Sequence, residues 1–211
     1  MPGVRKVVTR SPYRRVGLVA CPWFQPTAIE YESLLERDFL RLAVLDLENS
    51  AISAQPFTMD LGEFGNYTPD FLLDQKHGKT VVEVKPSVHA ANPKHSARLE
   101  YAGLVLADKG YRFLVATEQY IHADKRHERA GILLRHARSR LPTGITIGVL
   151  AIAFRHRKGI AIDELSRAAE VPISTVLHLI GRRQLRVSPS LHFDDAQFVY
   201  PIGGDDGCLH T

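Results

Sequence analysis

The sequence predicts a mixed α/β domain followed by a smaller helical domain. Three observations support this: an amphipathic helix pattern precedes several apolar strand patterns, two of those strands are joined by a short polar turn, and the last third changes to a helix–turn–helix pattern. The chain has 211 residues, of which 45% are hydrophobic, so it can bury one large core or two small ones.

Composition narrows the class of protein. Charged residues make up 24% of the chain, which indicates a folded chain, and the net charge of +4 is a hint of a nucleic-acid partner. Cys21 and Cys208 lie far apart without metal-like spacing, so we expect two free thiols in a reducing compartment. No signal-peptide pattern follows the basic N-terminus, and no run approaches about 20 apolar residues. We therefore expect a cytoplasmic protein without membrane contact.

The first elements are a basic arm, a helix and a broken strand. Residues 1–28 are basic and contain several prolines, so we expect an arm with one short strand. Four apolar residues at helical spacing predict a helix over 30–47: Leu35, Phe39, Leu42 and Leu45. The stretch 51–61 predicts a strand interrupted by Pro56.

A hairpin, a helix and a strand complete the first domain, which we place at 29–122. The runs "YTPDFLLD" and "TVVEVKPS" predict two strands joined by the turn "QKHGK". Residues 92–110 have a helical apolar pattern that Gly110 ends, and 111–121 predict another strand. The order helix, three strands, helix, strand is that of a mixed α/β domain.

The segment 123–140 is a basic helical pattern. It holds six lysines and arginines against Asp124 and Glu128. Two interpretations stay open at this point: a solvated helix face, or a face that contacts DNA.

Residues 159–187 predict helix, short turn and helix, and 185–200 predict a hairpin with its turn at Ser188–Ser190. Together they resemble the outline of a winged helix, which we place within 123–203, before a flexible tail at 204–211. We expect Leu165, Ala168 and Ala169 of the first helix and Val176, Leu177 and Ile180 of the second to face inward. The residues left to face outward, and thus to contact DNA, are Ser174, Thr175, His178, Arg182 and Arg183. A domain used for protein contacts is the alternative.

Charged residues in the predicted hairpin are the candidates for a catalytic site. Glu83 and Lys85 share one face of an otherwise apolar strand, roughly 6 to 7 Å apart. If Asp74 pairs near Thr80, Asp70 comes opposite residue 84, beside that pair. Two carboxylates and an ammonium group then converge at one end of a small sheet. The alternative is an ordinary Glu–Lys pair on an exposed strand face.

Such a cluster suits metal-dependent phosphodiester hydrolysis. Carboxylate and carbonyl oxygens hold Mg²⁺, which polarises a phosphate and activates water, while Lys85 orients that water or stabilises the transition state. The preceding helix offers a third acid from among Glu32, Glu36 and Asp38, and Glu32 and Glu36 would lie one helical turn apart.

"PDF" followed by "EVK" resembles the PD-(D/E)xK superfamily of restriction-endonuclease-like nucleases. The fuller set "ESLLERDF", "QPF", "YTPDFLL", "VVEVKP" and "RLEYAGLVLADKGYRFLVATEQYI" resembles TnsA-like endonucleases over about 30–121. This resemblance implies a restriction-endonuclease-like mixed sheet flanked by helices. It implies a Mg²⁺ site, with Mn²⁺ as a substitute, made by Asp70, Glu83, the Val84 carbonyl and Glu36. The implied catalytic residues are Glu36, Asp70, Glu83 and Lys85, with Gln55 in a supporting role.

The resemblance also implies partners. TnsA-like proteins cut the 5′ ends of a transposon beside a DDE-type transposase, and an AAA+ ATPase regulator contacts the complex. Lys94 and Arg98, at the start of the next helix, are candidates for DNA phosphate contacts. Two alternatives remain: a stand-alone nuclease of the same fold from a phage or a repair system, and a non-catalytic DNA-binding regulator.

Overall fold

The computed structural model describes residues 16–203, and these form parts of two compact units, Met1–His127 and Glu128–Thr211. Most of the predicted arm and the whole predicted tail, 204–211, lie outside the described residues. The domain boundaries predicted after residues 28, 122 and 203 stay predictions. Within 16–203, no helix is both long and apolar enough to cross a membrane.

The first unit opens with a short hairpin and a helix. Strand β1 (Gly17–Val19) pairs antiparallel with β2 (Ile29–Tyr31), and helix α1 spans Leu34–Leu45. The prediction that this helix begins at residue 30 is wrong. Residues 29–31 are held extended by β1, and Ser33 caps the helix with extended backbone angles while its Oγ accepts a hydrogen bond from the Glu36 N–H.

A four-stranded sheet forms the centre of the first unit. Strand β3 (Asn49–Ala54) is followed by two short strands that pair with each other, β4 (Met59–Asp60) and β5 (Asn66–Tyr67). The chain then forms the predicted hairpin of β6 (Phe71–Gln75) and β7 (Gly78–Val84). The interruption at Pro56 is confirmed, because β3 ends at Ala54 and the next strand begins only at Met59.

The register of the hairpin differs from the prediction by one residue. Asp74 pairs with Lys79 instead of Thr80, and Phe71 pairs with Val82. The connection is shorter than "QKHGK", because Gln75 and Gly78 still pair and Gly78 takes a φ of 118° at the turn. One step beyond the paired residues, Asp70 therefore comes opposite Glu83, and residues directly opposite each other share a face of the sheet.

Two helices lead from the hairpin to the last strand of this sheet. Helix α2 spans Ser87–Ala90, helix α3 spans Pro93–Asp108, and strand β8 spans Arg112–Ala116. The sheet order is β3–β6–β7–β8, with β8 parallel to β7 and the other pairs antiparallel. The strand predicted to reach residue 121 ends earlier, because helix α4 (Glu118–Ile121) follows it. This mixed sheet flanked by helices is consistent with a restriction-endonuclease-like fold.

The second unit is mostly helical. It contains helix α5 (Arg126–His136) apart from its first two residues, which belong to the first unit. Helices α6 (Thr143–Arg155), α7 (Ile162–Ala168) and α8 (Ile173–Gly181) follow, and strand β9 (Ile160–Ala161) precedes α7. Strands β10 (Leu185–Arg186) and β11 (Phe198–Pro201) pair antiparallel, and the sheet order is β10–β11–β9. The predicted helix–turn–helix is present here. Strands β10 and β11 pair, but residues 187–197 join them, so the prediction of a hairpin with its turn at Ser188–Ser190 is wrong in its bounds. Helix α6 lies outside the predicted elements.

The observed burial contradicts the predicted exposure of three side chains in the helix–turn–helix. Thr175 and His178 are buried, not outward-facing, and Ala168 is exposed, not packed inward. In α8 every residue from Thr175 to Gly181 is buried, so this part of the helix has no exposed face. His178 Nδ1 lies 3.0 Å from the His136 carbonyl oxygen and 3.0 Å from Ser139 Oγ, so that side of α8 packs on the end of α5. Val176, Leu177 and Ile180 are buried as predicted.

Candidate active site

Glu83 is a buried carboxylate with both oxygens engaged. It lies in β7 and is 7% exposed. Lys85 Nζ donates a 2.7 Å hydrogen bond to its Oε1, and the Tyr67 hydroxyl donates a 2.9 Å bond to its Oε2. Because a buried charge is costly unless it is paired and hydrogen-bonded, this arrangement explains how an apolar strand tolerates Glu83.

Asp70 immediately precedes β6 and is fixed at its side chain and its backbone. Its Oδ2 accepts a 2.7 Å hydrogen bond from the Val84 N–H, and its carbonyl oxygen accepts a 2.8 Å bond from the Gln55 N–H. Burial, and then the charges of Glu83 and Glu36, raise the pKa of Asp70 to about 8, although the Val84 N–H and Lys85 act in the opposite direction.

Glu36 approaches the same cluster from the first turn of α1. Its Oε2 accepts a 2.7 Å hydrogen bond from the Glu32 N–H, and its Oε1 accepts a 2.8 Å bond from Ser33 Oγ. Together with the Ser33 cap, these bonds form a variant of the capping box, in which the Glu36 carboxylate accepts from the N–H of the residue before the cap. Burial raises the pKa of Glu36, and the charges of Glu32 and Glu83 raise it further. Glu36 thus helps to cap the N-terminus of α1 and adds a third negative charge near Asp70 and Glu83.

The structure distinguishes between Glu32, Glu36 and Asp38, the three candidates for the third acid of the site. Glu36 is the one that acts electrostatically on Asp70. Glu32 precedes the helix cap, so the prediction that it stands one helical turn from Glu36 is wrong. Asp38 is buried against Arg37 and Arg41.

Three carboxylates and one ammonium group leave an excess of negative charge. Oxygen donors of this kind suit a hard divalent cation. Burial first, and then the charges of Glu83 and Glu36, raise the pKa of Asp70. The donor set therefore fits Mg²⁺. Gln55, beside the cluster, takes a φ of 42°, and its Oε1 has no hydrogen-bond partner among residues 16–203.

The other predicted contact residues lie at the start of α3 and on α8. Lys94 is exposed, whereas Arg98 donates a 2.5 Å hydrogen bond from Nη2 to the Asn66 carbonyl oxygen. On α8, Ser174 is exposed, but Arg182 Nε donates a 2.7 Å bond to the Ala137 carbonyl oxygen. Arg98 and Arg182 therefore have structural partners, and the buried Thr175 and His178 do not form an exposed surface. The role of Arg183 as a DNA contact stays a prediction.

Sequence reasoning missed two supporting residues. Tyr67 lies within the quoted "YTPDF", where a tyrosine three residues before an acid was the available signal. Glu118 accepts a 2.7 Å hydrogen bond from the Ser87 N–H and a short one from the Ser87 hydroxyl, and both bonds lower its pKa. Glu118 thereby ties the segment after Lys85 to the segment after β8. No sequence signal indicated this contact.

The sheet, with Glu36 on the preceding helix, Asp70 at the hairpin entrance and the Glu83-x-Lys85 strand end, is consistent with a restriction-endonuclease-like fold. Residues 43–118 match the family model of the TnsA-like endonuclease N-terminal domain. This match supports a TnsA-like DNA endonuclease. No curated protein matches the chain. The matched segment includes Gln55, Asp70, Glu83 and Lys85 but begins after Glu36, whose assignment depends on geometry.

Proposed function

We propose that this protein is a Mg²⁺-dependent DNA endonuclease subunit of a heteromeric transposase. It hydrolyses phosphodiester bonds at the 5′ ends of a transposon, together with a DDE-type transposase subunit and an AAA+ ATPase regulator. The observation that carries the proposal is the pairing of the buried Glu83 with Lys85, next to Asp70 held by the Val84 N–H, within the segment matched by the TnsA-like model. Cytoplasmic location stays a prediction.

Asp70, Glu83, Glu36 and the Val84 carbonyl would hold the metal ion. When bound, Mg²⁺ or Mn²⁺ supplies polarisation of the scissile phosphate and a more acidic water. The protein holds two of these ligands in place beforehand. The Val84 N–H fixes one oxygen of Asp70, and Tyr67 fixes one oxygen of Glu83.

Lys85 supplies the positive charge of the site. Its side chain is 24% exposed, so it can reach a bound phosphate while it remains paired with Glu83. An ammonium group fixed in this position stabilises the negative charge that grows on the phosphate during hydrolysis, or orients the attacking water. Its backbone is also fixed, because the Lys85 N–H donates a 3.1 Å bond to the Ala116 carbonyl oxygen.

The second unit supports a recognition role. Its order of helix, strand, helix, helix and two strands resembles a winged helix, and exposed basic residues lie at the end of α5 and beyond: Arg135, Arg138 and Arg140. We propose that this unit contacts transposon-end DNA. A partner protein is the alternative occupant.

Two measurements test the nuclease proposal. The first is calorimetric titration of Mg²⁺ and Mn²⁺ into the wild type and Asp70→Asn, without DNA. The second is cleavage of transposon-end DNA in the presence of the DDE-type transposase subunit that we propose as its partner. We expect Asp70→Asn to lose metal binding and at least 100-fold in cleavage rate.

The matched control is Asp74→Asn, in the same hairpin. Asp74 forms a surface ion pair with Lys79, with 2.9 Å between Oδ1 and Nζ, so its loss should leave metal binding and cleavage unchanged. Equal cleavage by the wild type and Asp70→Asn would exclude the proposed site. Metal binding with no cleavage of any DNA end would favour the non-catalytic regulator.

A further inference from the structure

A second group of side chains that could bind a metal lies in the first unit. It is separate from Glu36, Asp70, Glu83 and Lys85, which we call the nuclease cluster. Asp38 in α1, His122 just after α4 and His127 in the first turn of α5 each offer a ligand atom, and these atoms lie within 4.8 Å of one another. Two residues along an α-helix turn a side chain by about 200°, so Asp38 leaves α1 on a different side from Glu36.

Asp38 is oriented by two arginines. It is 6% exposed, and its Oδ1 accepts hydrogen bonds from Arg37 Nε at 3.0 Å, Arg37 Nη2 at 2.8 Å and Arg41 Nη1 at 3.2 Å. These bonds fix the carboxylate and direct its Oδ2 towards His122, whose Nε2 lies 3.4 Å away. Partners that hold a ligating carboxylate in this way are typical of protein metal sites.

The distance between these two atoms favours a shared ion over a direct contact. At 3.4 Å, the separation of His122 Nε2 and Asp38 Oδ2 exceeds the usual 2.7–3.2 Å of an N–H···O hydrogen bond. Two ligands bound tetrahedrally to zinc at about 2.0–2.1 Å stand about 3.3 Å apart. The ring centroids of His122 and His127 lie 4.0 Å apart, so the second imidazole is next to the same position.

We propose that Asp38, His122 and His127 form a binding site for a zinc-class divalent ion, with water at the fourth position. Two imidazoles select Zn²⁺, Co²⁺ or Ni²⁺ over Mg²⁺, which prefers oxygen ligands. The charges of Arg37 and Arg41 weaken the binding of any cation, so the affinity should be lower than that of a closed structural zinc site.

The bound ion would join α1 to the segment that follows β8 and α4. Because Glu36 lies in the first turn of α1, the ion would also steady the helix that supplies the third acid of the nuclease cluster. This inference stands on its own residues and does not depend on the proposed nuclease function.

The test is titration of Co²⁺, a spectroscopic substitute for Zn²⁺, into the full-length untagged chain. An Asp70→Asn background removes the principal ligand of the nuclease cluster, so the remaining binding reports on the second site. We expect one equivalent of Co²⁺ to bind with the visible d–d bands of four-coordinate nitrogen and oxygen ligation. Thiolate charge-transfer bands should be absent. A rise in Tm with Zn²⁺ should accompany binding.

His122→Asn and His127→Asn should each weaken Co²⁺ binding at least tenfold and abolish the zinc-dependent rise in Tm. His95→Asn, on the exposed start of α3, is the control and should behave like the parent. Circular dichroism of the metal-free variants checks that each still folds. Absence of Co²⁺ binding in the parent, or unchanged binding in both folded histidine variants, would overturn the proposal.

Discussion

The Tyr67 hydroxyl and Glu83 are joined by a hydrogen bond of 2.9 Å across a sequence separation of 16 residues. Tyr67 is 4% exposed and packs with Leu61, Leu99 and Ala102, so its ring is fixed by the core of the first unit. The core thus sets the orientation of a carboxylate that we assign to the metal. Tyr67 itself is a positioning residue, since its hydroxyl acts through Glu83.

Tyr67→Phe should reduce metal affinity and cleavage rate by about 10–100-fold, the range found when a partner of a metal ligand is removed. The ring remains and keeps its packing, while Glu83 loses one of its two hydrogen bonds. Calorimetry with Mn²⁺ and a single-turnover cleavage assay measure the two effects. Tyr101→Phe is the control, because Tyr101 is 42% exposed. Unchanged affinity in Tyr67→Phe would show that Glu83 does not need this bond.

Without metal, Asp70 should make stability depend on pH. The pKa of this carboxyl rises from an ordinary value of 3.8 to about 8, mainly through burial. Between these values the folded state keeps a proton that the unfolded state releases, so the unfolding free energy falls as the pH rises from 4 to 8. The slope from this group is at most about 1.4 kcal/mol per pH unit.

Urea unfolding at several pH values with a chelator measures that slope. Asp70→Asn cannot titrate and should flatten the pH dependence, whereas Asp74→Asn should leave it as in the wild type. The same protonation predicts that metal affinity increases up to about pH 8, because a cation binds the ionised carboxylate. An identical slope in the wild type and Asp70→Asn would show that Asp70 is ionised throughout this range.

Glu36 has two roles that two substitutions can separate. Glu36→Gln keeps a side chain that suits the capping box but removes the negative charge, so cleavage should fall while stability stays nearly unchanged. Ser33→Ala removes the helix cap and should cost about 1 kcal/mol, while the carboxylate remains. Urea unfolding and the cleavage assay, run on both variants, provide the comparison. A Glu36→Gln enzyme with full activity would assign Glu36 to the cap alone.

Gly181 should be intolerant of a methyl group. A Cβ at this position would stand 2.3 Å from the Leu133 carbonyl oxygen and 2.9 Å from Ala137 Cβ, so α8 would have to move away from α5. We expect Gly181→Ala to destabilise the protein by about 1–3 kcal/mol, although alanine favours helices. Gly148→Ala in α6 is the control, since nothing lies within 4 Å of its Cβ and a gain of up to about 1 kcal/mol is expected. Thermal unfolding would contradict the prediction if both variants gained stability.

Local sequence patterns predict most of the first unit. Alternating apolar residues indicate the hairpin, and charges inside an apolar strand indicate Glu83 and Lys85. The register error at Asp74 arose because a one-residue change in turn length is invisible in the pattern of side chains. The true start of α1 was obscured because Ile29 and Glu30 fit a helix as well as a strand, and only their pairing with β1 decides between the two.

The second unit was harder to predict for a physical reason. Thr175 and His178 are polar, which suggests an outward face, but tertiary packing buries both of them. Helix α6 is rich in glycine and β-branched residues, which carry a weak helix signal. The contact between Glu118 and Ser87 joins residues 31 apart in sequence and follows from the folded sheet alone.

The parallel pairing of β7 with β8 has a consequence for the chain during synthesis. Strand β7, seven residues long and apolar from Val81 to Val84 apart from Glu83, is an interior strand because β8 covers its second edge. A nascent or truncated chain that stops before Arg112 has no β8, so the backbone groups on that edge stay unpaired and invite aggregation. Since the Lys85 N–H also bonds to Ala116, the site acquires its final geometry after the polypeptide has passed that residue. A ribosome-bound fragment should therefore be unable to cut DNA.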